Sequence, residues 1–280
     1  MKHTFGLLAG PPGSVARLTI EVPTGEVRNV SVERNKSSRE VDWLIPVADK
    51  EGLCNFRWLG DDIAFVALNG FGDEKVVEAF EAALPELLAA EGVILDIRNN
   101  SGGSTNIVTA IAEHLTTETL VGAVWRTPKH VAAYKAWGQF SEEYEAYYGG
   151  TVWHEGSRDK LIPRPGRKIL VPIVLLIGRH TASAAEDLLI YLDPLEHITY
   201  VGEPTCGSTG QPLLIDLPGG GRARICTKRD TYPDGRDFVG YGIEPDVLVR
   251  PTVQDVRNRR DVVLEKGIEI LKEKISLSED

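Results

Sequence analysis

Two hydrophobic periods take turns along this chain, and the places where one gives way to the other divide it into three stretches. The first, "GLLAGPPGSVARLTIEVPTGEVRNVSVER", reads as a strand from Val15 to Val22, a turn at Pro23-Thr24-Gly25 and a second strand to Val32. Two strands cannot bury enough apolar surface to stand alone. Residues from about Leu7 to Arg34 are therefore expected to be part of a larger β module, with an exposed strand edge open to other chains. The polar residues Asn35 to Glu40 read as a linker.

The second stretch alternates strands with helices. The apolar run Ile63 to Leu68 predicts a buried strand, and "DEKVVEAFEAALPELLAAE" places its apolar residues at helical spacing. "GVILDIRNNSGGS" predicts another buried strand ending in a glycine turn, followed by the amphipathic helix "TNIVTAIAEHL". "KILVPIVLLIGRHTASAAEDLLIYL" repeats strand, turn and helix, with Ser183 where the helix begins. Such alternation predicts an α/β domain with a largely parallel sheet. Between the repeats, Thr127 to Arg164 is an excursion with a surface helix. Its aromatic residues, Tyr134 to Trp153, read as solvent-facing packing or the lining of a substrate groove.

In the third stretch, from Gly210 to Thr252, short strands separated by Pro-Gly and Asp-Gly turns predict β-hairpins, so the C-terminal part is β-rich. A charged amphipathic helix from Val256 to Lys274, with Val263, Leu264, Ile268 and Leu271 on its apolar face, closes the chain.

Composition narrows the function. With 280 residues, 42% of them hydrophobic and 26% charged, the chain can build a substantial core. A net charge of -10, with no basic cluster to offset it, argues against a nucleic-acid partner. Cys54, Cys206 and Cys226 are far apart and odd in number, which suggests reduced packing residues rather than a disulfide framework or a metal site, and no cofactor is expected. The longest apolar run, Ile169 to Ile177, is interrupted by Pro172 and too short to span a bilayer. The chain as written opens without a basic segment and apolar core of the export type, which leaves the compartment of a longer parent open.

The chemistry lies in the two turns. "TASAAED" offers a hydroxyl at a helix N-terminus among small residues that leave room for a substrate backbone. Serine before a helix is more often an N-cap. "NNSGG" adds a side-chain-free backbone at the end of a second strand, where a substrate could approach closely. Glu186 and Asp187 read as first-turn acids that complement the helix dipole, and Asp96 and Arg98 as residues that shape the glycine turn. His180 is a poor candidate base, because three positions away across a tight turn its ring points elsewhere.

These blocks, in this order, resemble the tail-specific or C-terminal processing serine peptidases, the family that includes the tricorn core. "GVILDIRNNSGGS" resembles its oxyanion turn and "LIGRHTASAAEDLL" its nucleophile turn. "VGEPTCGSTGQP" and "VGYGIEPDV" resemble two downstream blocks, and the N-terminal β stretch is similar to the second half of a PDZ domain. The resemblance implies a crotonase/Clp-protease-like catalytic domain over 36–280, behind a partial PDZ-like module over 1–35. It implies a serine-type endopeptidase acting on proteins or peptides through an acyl-enzyme at Ser183, with the oxyanion held by the N–H of Ala184 and that of Gly102 or Gly103. In the processing-protease branch a lysine base occupies the place of Ser208, so Ser208 could relay or orient but not replace it. In the tricorn-like branch a histidine precedes the PDZ domain, and an assisting glutamate falls where Val239 stands. A homo-oligomer formed through exposed strand edges is a further expectation. The alternative is a weakly active or inactive ligand-binding protein on the same scaffold, as in the interphotoreceptor retinoid-binding protein.

Overall fold

Short apolar runs bounded by turns form the strands of a six-stranded sheet, and the segments between them supply the helices that cover it. The computed structural model describes residues 10–11, 13–22, 24–34 and 52–278, and divides into two units. One comprises Met1–Val47 with Pro251–Asp261, the other Ala48–Arg250 with Val262–Asp280. The expected linker, Asn35 to Glu40, and the start of the expected module, Leu7 to Ala9, lie outside the described residues.

In the first unit β1 (Val15–Glu21) and β2 (Val27–Glu33) pair antiparallel, with Val15 opposite Glu33 and Glu21 opposite Val27. Gly25, at φ 86°, allows its N–H to reach the Val22 carbonyl and close the turn. Val15, Ile20, Val27 and Val32 are exposed, and among the described residues no third strand joins the ladder.

The second unit begins with β3 (Cys54–Leu59), β4 (Ile63–Leu68), α1 (Lys75–Leu87), β5 (Gly92–Asp96) and α2 (Thr105–Ala112). The excursion follows, as β6 (Leu120–Val121), β7 (Val124–Pro128), α3 (Ala132–Trp137), α4 (Glu145–Gly149), β8 (Trp153–Glu155) and β9 (Lys160–Leu161). Then come β10 (Ile173–Ile177), α5 (Ala184–Leu192), β11 (Ile198–Gly202), β12 (Leu213–Asp216), β13 (Arg222–Ile225), β14 (Arg229–Thr231) and β15 (Val247–Leu248). A short helix of the first unit, α6 (Val253–Arg257), precedes the final α7 (Val262–Ser278) of the second.

The main sheet runs β15-β11-β10-β5-β4-β3 and is parallel except where β3 meets β4. Its central strands are buried on both faces, which is why they read as unbroken apolar runs. Alternate residues serve the two faces. Ala64, Val66, Leu68, Val93, Leu95, Ile173 and Leu175 share one core with α1, α2 and α5. Phe65, Ile94, Val174 and Leu176 share the other with Val263, Ile270 and Leu271 of α7. The alternation places both strand-turn-helix crossings, β5 to α2 and β10 to α5, on one side, where α2 and α5 touch.

β10 starts at Ile173, because Pro172 has no N–H to give to a parallel ladder. One boundary differs from the sequence expectation. The helix expected over Val256 to Lys274 is two helices: α6 ends at Arg257 with Asn258 as its C-cap, and Arg259 takes a positive φ of 54° that no helix accommodates. In the excursion, Tyr134, Trp137, Tyr144 and Tyr147 pack on one another, with Tyr134 stacked on Tyr144 at 4.7 Å between ring centres. Among the described residues no helix is long and apolar enough to cross a membrane.

Candidate active site

The glycine turn is built from β5 outward. Asp96 is held by three bonds from Arg98, at 3.1 Å from its N–H, 2.9 Å from Nε and 2.6 Å from Nη2. Asn100, fully buried, ties the turn down on three sides. Its Nδ2 donates to the Leu68 carbonyl (3.0 Å), its Oδ1 accepts from the Gly102 N–H (2.9 Å), and its carbonyl accepts from the Ala182 N–H (3.1 Å). The chain then passes through Gly102 at φ 94° and Gly103 at φ 148°. Phe71 brackets the pair, donating to the Gly102 carbonyl and accepting from the Ser104 N–H. Ser104 caps α2 by accepting from the Asn106 N–H (3.3 Å).

The second turn leaves β10 through Thr181, whose buried hydroxyl accepts from the Gly178 N–H (3.1 Å) and donates to the Ile97 carbonyl (3.0 Å). This fastens it to the first turn. Ser183 follows as the N-cap of α5, at φ 56° and ψ -125°. A non-glycine residue in such a region costs about 1–3 kcal/mol and persists only where its surroundings enforce it. Here its N–H is shared by the Ser208 carbonyl and a Glu186 carboxylate oxygen, both at 3.0 Å.

The two turns meet face to face. A Cβ built on Gly102 would lie 2.7 Å from the Ser183 Cβ and 2.9 Å from the Ala184 nitrogen. Only glycine permits this approach. The Gly102 N–H is turned inward onto Asn100, whereas the N–H groups of Gly103 and Ala184 have no acceptor among the described residues. Ser183 is half-buried and Ser208 exposed. Ser208 reaches Ser183 through its backbone carbonyl, and the block holding Val239 packs beside it through the Gly240 N–H to Gly207 carbonyl bond (2.8 Å). His180 is exposed on the turn itself.

Glu186 does more than complement the helix dipole. It is fully buried, and its two oxygens accept from the Ser183 N–H, the Thr205 hydroxyl (2.6 Å), the Gly207 N–H (2.7 Å) and the Ser208 N–H (3.1 Å). Burial raises its pKa above the ordinary carboxylate value, against the pull of these four donors. Thr205 in turn accepts from the Ile243 N–H (2.7 Å), so one carboxylate links the Ser183 turn to both downstream blocks. Its spacing, three residues after the cap, is that of a capping box, the one sequence signal that could have found it. Asn100 and Thr205 carried no such signal.

Asp187 joins the two helices directly, accepting from the Thr105 hydroxyl at the start of α2 (2.8 Å). Burial pushes its pKa up to about 6, with Asp230 and Asp159 adding to the rise and the Thr105 bond and Lys228 opposing it. Because this folded value exceeds the ordinary 3.8, protonation favours the fold. The stabilising contribution is complete below about pH 4 and is lost as pH rises through about 6, at most about 3 kcal/mol. Asp187→Asn keeps an acceptor for Thr105 and cannot ionise. Its melting temperature should match wild type at pH 4 and exceed it at pH 8; a difference constant across that range would sink this account.

The layered sheet and the meeting of two strand-turn-helix crossings define the class, and a model of peptidase family S41 matches residues 62–249. The chain belongs to that family. It is 29% identical over 254 residues to the carboxyl-terminal-processing protease of Picosynechococcus sp., which covers 89% of this chain and 52% of that protein. It is 22% identical to the carboxy-terminal processing protease CtpB of Bacillus subtilis, over 87% of this chain and 46% of that one. The chain thus spans about half the length of these curated relatives. Among solved structures, mature CPAF superposes with a TM-score of 0.64 at 18% identity, covering 93% of this chain and 67% of that one. The photosystem II D1 C-terminal processing protease gives a TM-score of 0.52 at 20% identity, covering 91% and 62%.

Proposed function

We propose that this chain carries the catalytic centre of a serine-type endopeptidase that cleaves proteins or peptides, with Ser183 as nucleophile. The observation that carries the reading is the approach of Gly102 to within contact of Ser183 and the Ala184 nitrogen. In this reading the Ser183 hydroxyl adds to the scissile carbonyl, and its proton passes to a base. The oxyanion sits between the N–H groups of Ala184 and Gly103, neither of which has an acceptor among the described residues. Collapse expels the amine with a proton, leaving an acyl-serine that water then hydrolyses. Gly102 acts by lacking a side chain, and Ser208 by holding the Ser183 N–H through its carbonyl.

A serine hydroxyl stands where the processing-protease branch has its lysine, and it cannot take the proton that a lysine amine would. General-base help is worth about 10²–10⁴-fold, so turnover by this chain is expected to be slow. We read the sheet as crotonase/Clp-protease-like, β1 and β2 as part of a PDZ-like module within 1–35, and their open edges as a route to a homo-oligomer.

The test is labelling with a serine-directed fluorophosphonate, followed by peptide mapping. Slow modification confined to Ser183 is expected. Modification at another serine, or none under conditions that label a known serine hydrolase, would refute the assignment and favour a ligand-binding protein.

A further inference from the structure

The strands β12 and β13 pair only with each other among the described residues. Leu213 lies opposite Ile225 and Ile215 opposite Ala223, so the period of two puts both pairs on one side of the hairpin, together with Leu217. Every position on that side is aliphatic. Leu213, Leu217 and Ile225 are 56%, 46% and 52% exposed, and Ile215 is 37% exposed. The reverse side carries Leu214, Asp216, Arg222 and Arg224. An isolated two-stranded hairpin is marginal in water, and these exposures leave its apolar side open to a partner.

We propose that this side is a docking strip for the polypeptide substrate, an extended segment with apolar residues at alternate positions and acidic residues between them. The segment adds to the free edge of β13 as a third strand. The inference rests on the peptidase reading above and names what that site would receive.

Placement supports it first. The stem of the hairpin is closed on Gly210, whose carbonyl accepts from the N–H groups of Thr227 (2.9 Å) and Lys228 (3.3 Å), while the Thr227 hydroxyl donates to the Gln211 carbonyl (2.7 Å). Gly210 lies two residues beyond Ser208, which is bonded to Ser183. Four residues of chain lie between Ser208 and Leu213, so the strip begins no more than roughly 18 Å from Ser208. A bound peptide of ordinary length can lie on the strip and reach Ser183.

Size decides against a second copy. A stable protein interface takes about 20–30 residues from each partner, whereas this side offers five side chains on two short strands, the footprint of one extended peptide. Charge agrees. The reverse side of the hairpin, which carries Arg222 and Arg224, is locally basic and suits a peptide with acidic residues. Arg222 is paired with Asp216 at 3.1 Å, and Arg224 has no ion-pair partner among the described residues. A strand added to β13 places its own reverse-side residues next to Arg224, which favours Glu or Asp there. Main-chain bonds along the edge would supply affinity, and the aliphatic strip the selection of alternate side chains.

Binding is measured on the Ser183→Ala chain by fluorescence anisotropy, using a labelled peptide in which leucine and glutamate alternate. The comparison peptide has the same composition with all its leucines in one block. The alternating peptide should bind more tightly than the block peptide, and Ile215→Ser with Ile225→Ser should weaken it about tenfold or more. Arg224→Glu should weaken the leucine-glutamate peptide and strengthen a leucine-lysine one, a reversal that a folding defect cannot produce. Equal affinity of the double variant and its parent, equal affinity for both peptides, or a wild-type dimer that the double variant dissolves would each overturn the proposal. Since binding is read without turnover, failure of fluorophosphonate labelling would remove the peptidase reading and leave this measurement intact.

Discussion

A Gly103→Ala chain is expected to lose about 10²–10³-fold of any turnover that depends on Ser183, and to melt well below wild type. Gly103 sits at φ 148°, a conformation that L side chains rarely adopt, and a Cβ there would be driven into the Phe71 carbonyl. The Phe71 backbone cannot step aside, because its N–H is bound to the Gly102 carbonyl and its carbonyl to the Ser104 N–H. The turn must therefore reopen, swinging away the N–H assigned to the oxyanion. One such donor is worth about 10²–10³ in kcat. Gly70→Ala is the control, since a Cβ at that position meets nothing within 4 Å and should change little. Thermal melts and fluorophosphonate labelling rates of the two variants decide the matter: a Gly103→Ala chain that melts and labels like wild type means the turn is built differently.

The sheet was the most legible part of the sequence. Strands such as Ile63–Leu68 and Ile173–Ile177 are covered on both faces, so burial alone writes them as unbroken apolar runs. The two turns could be read for the same reason, since each interrupts a run with residues chosen for backbone freedom or a cap. Pairings between distant segments could not be read. β14 adds to β7 across about a hundred residues, and β15 joins the main sheet beside β11, yet neither is longer than three residues or distinctive in composition. Nor could the sequence show that the Gly102 N–H turns inward, because that depends on where the Asn100 side chain spends its acceptor. Glu186 was legible only as an acid in the first turn of a helix. What makes it more is the return of Thr205, Gly207 and Ser208 to the same place, which is a property of the fold.

That return gives Glu186 the largest expected effect on stability. Removing the carboxylate in Glu186→Ala leaves the Thr205 hydroxyl and the N–H groups of Gly207 and Ser208 without their acceptor, whereas the Ser183 N–H keeps the Ser208 carbonyl. An orphaned buried donor costs about 1–3 kcal/mol, so the two buried ones, the Thr205 hydroxyl and the Gly207 N–H, cost roughly 2–6 kcal/mol, a large part of the 5–15 kcal/mol that holds a typical protein folded. The melting temperature of Glu186→Ala should fall by about 5–20 °C, or the chain should fail to fold. Glu186→Gln keeps the shape and one acceptor oxygen while turning an NH₂ group toward the remaining donors. It should lose less stability, yet label more slowly at Ser183, because Ser183 at φ 56° is held by the bonds to its N–H and relaxes when one of them goes. Melting curves separate the two variants, and labelling rates of folded Glu186→Gln read the positioning. If Glu186→Ala melts within a few degrees of wild type, the four bonds are not what joins the Ser183 turn to the two downstream blocks.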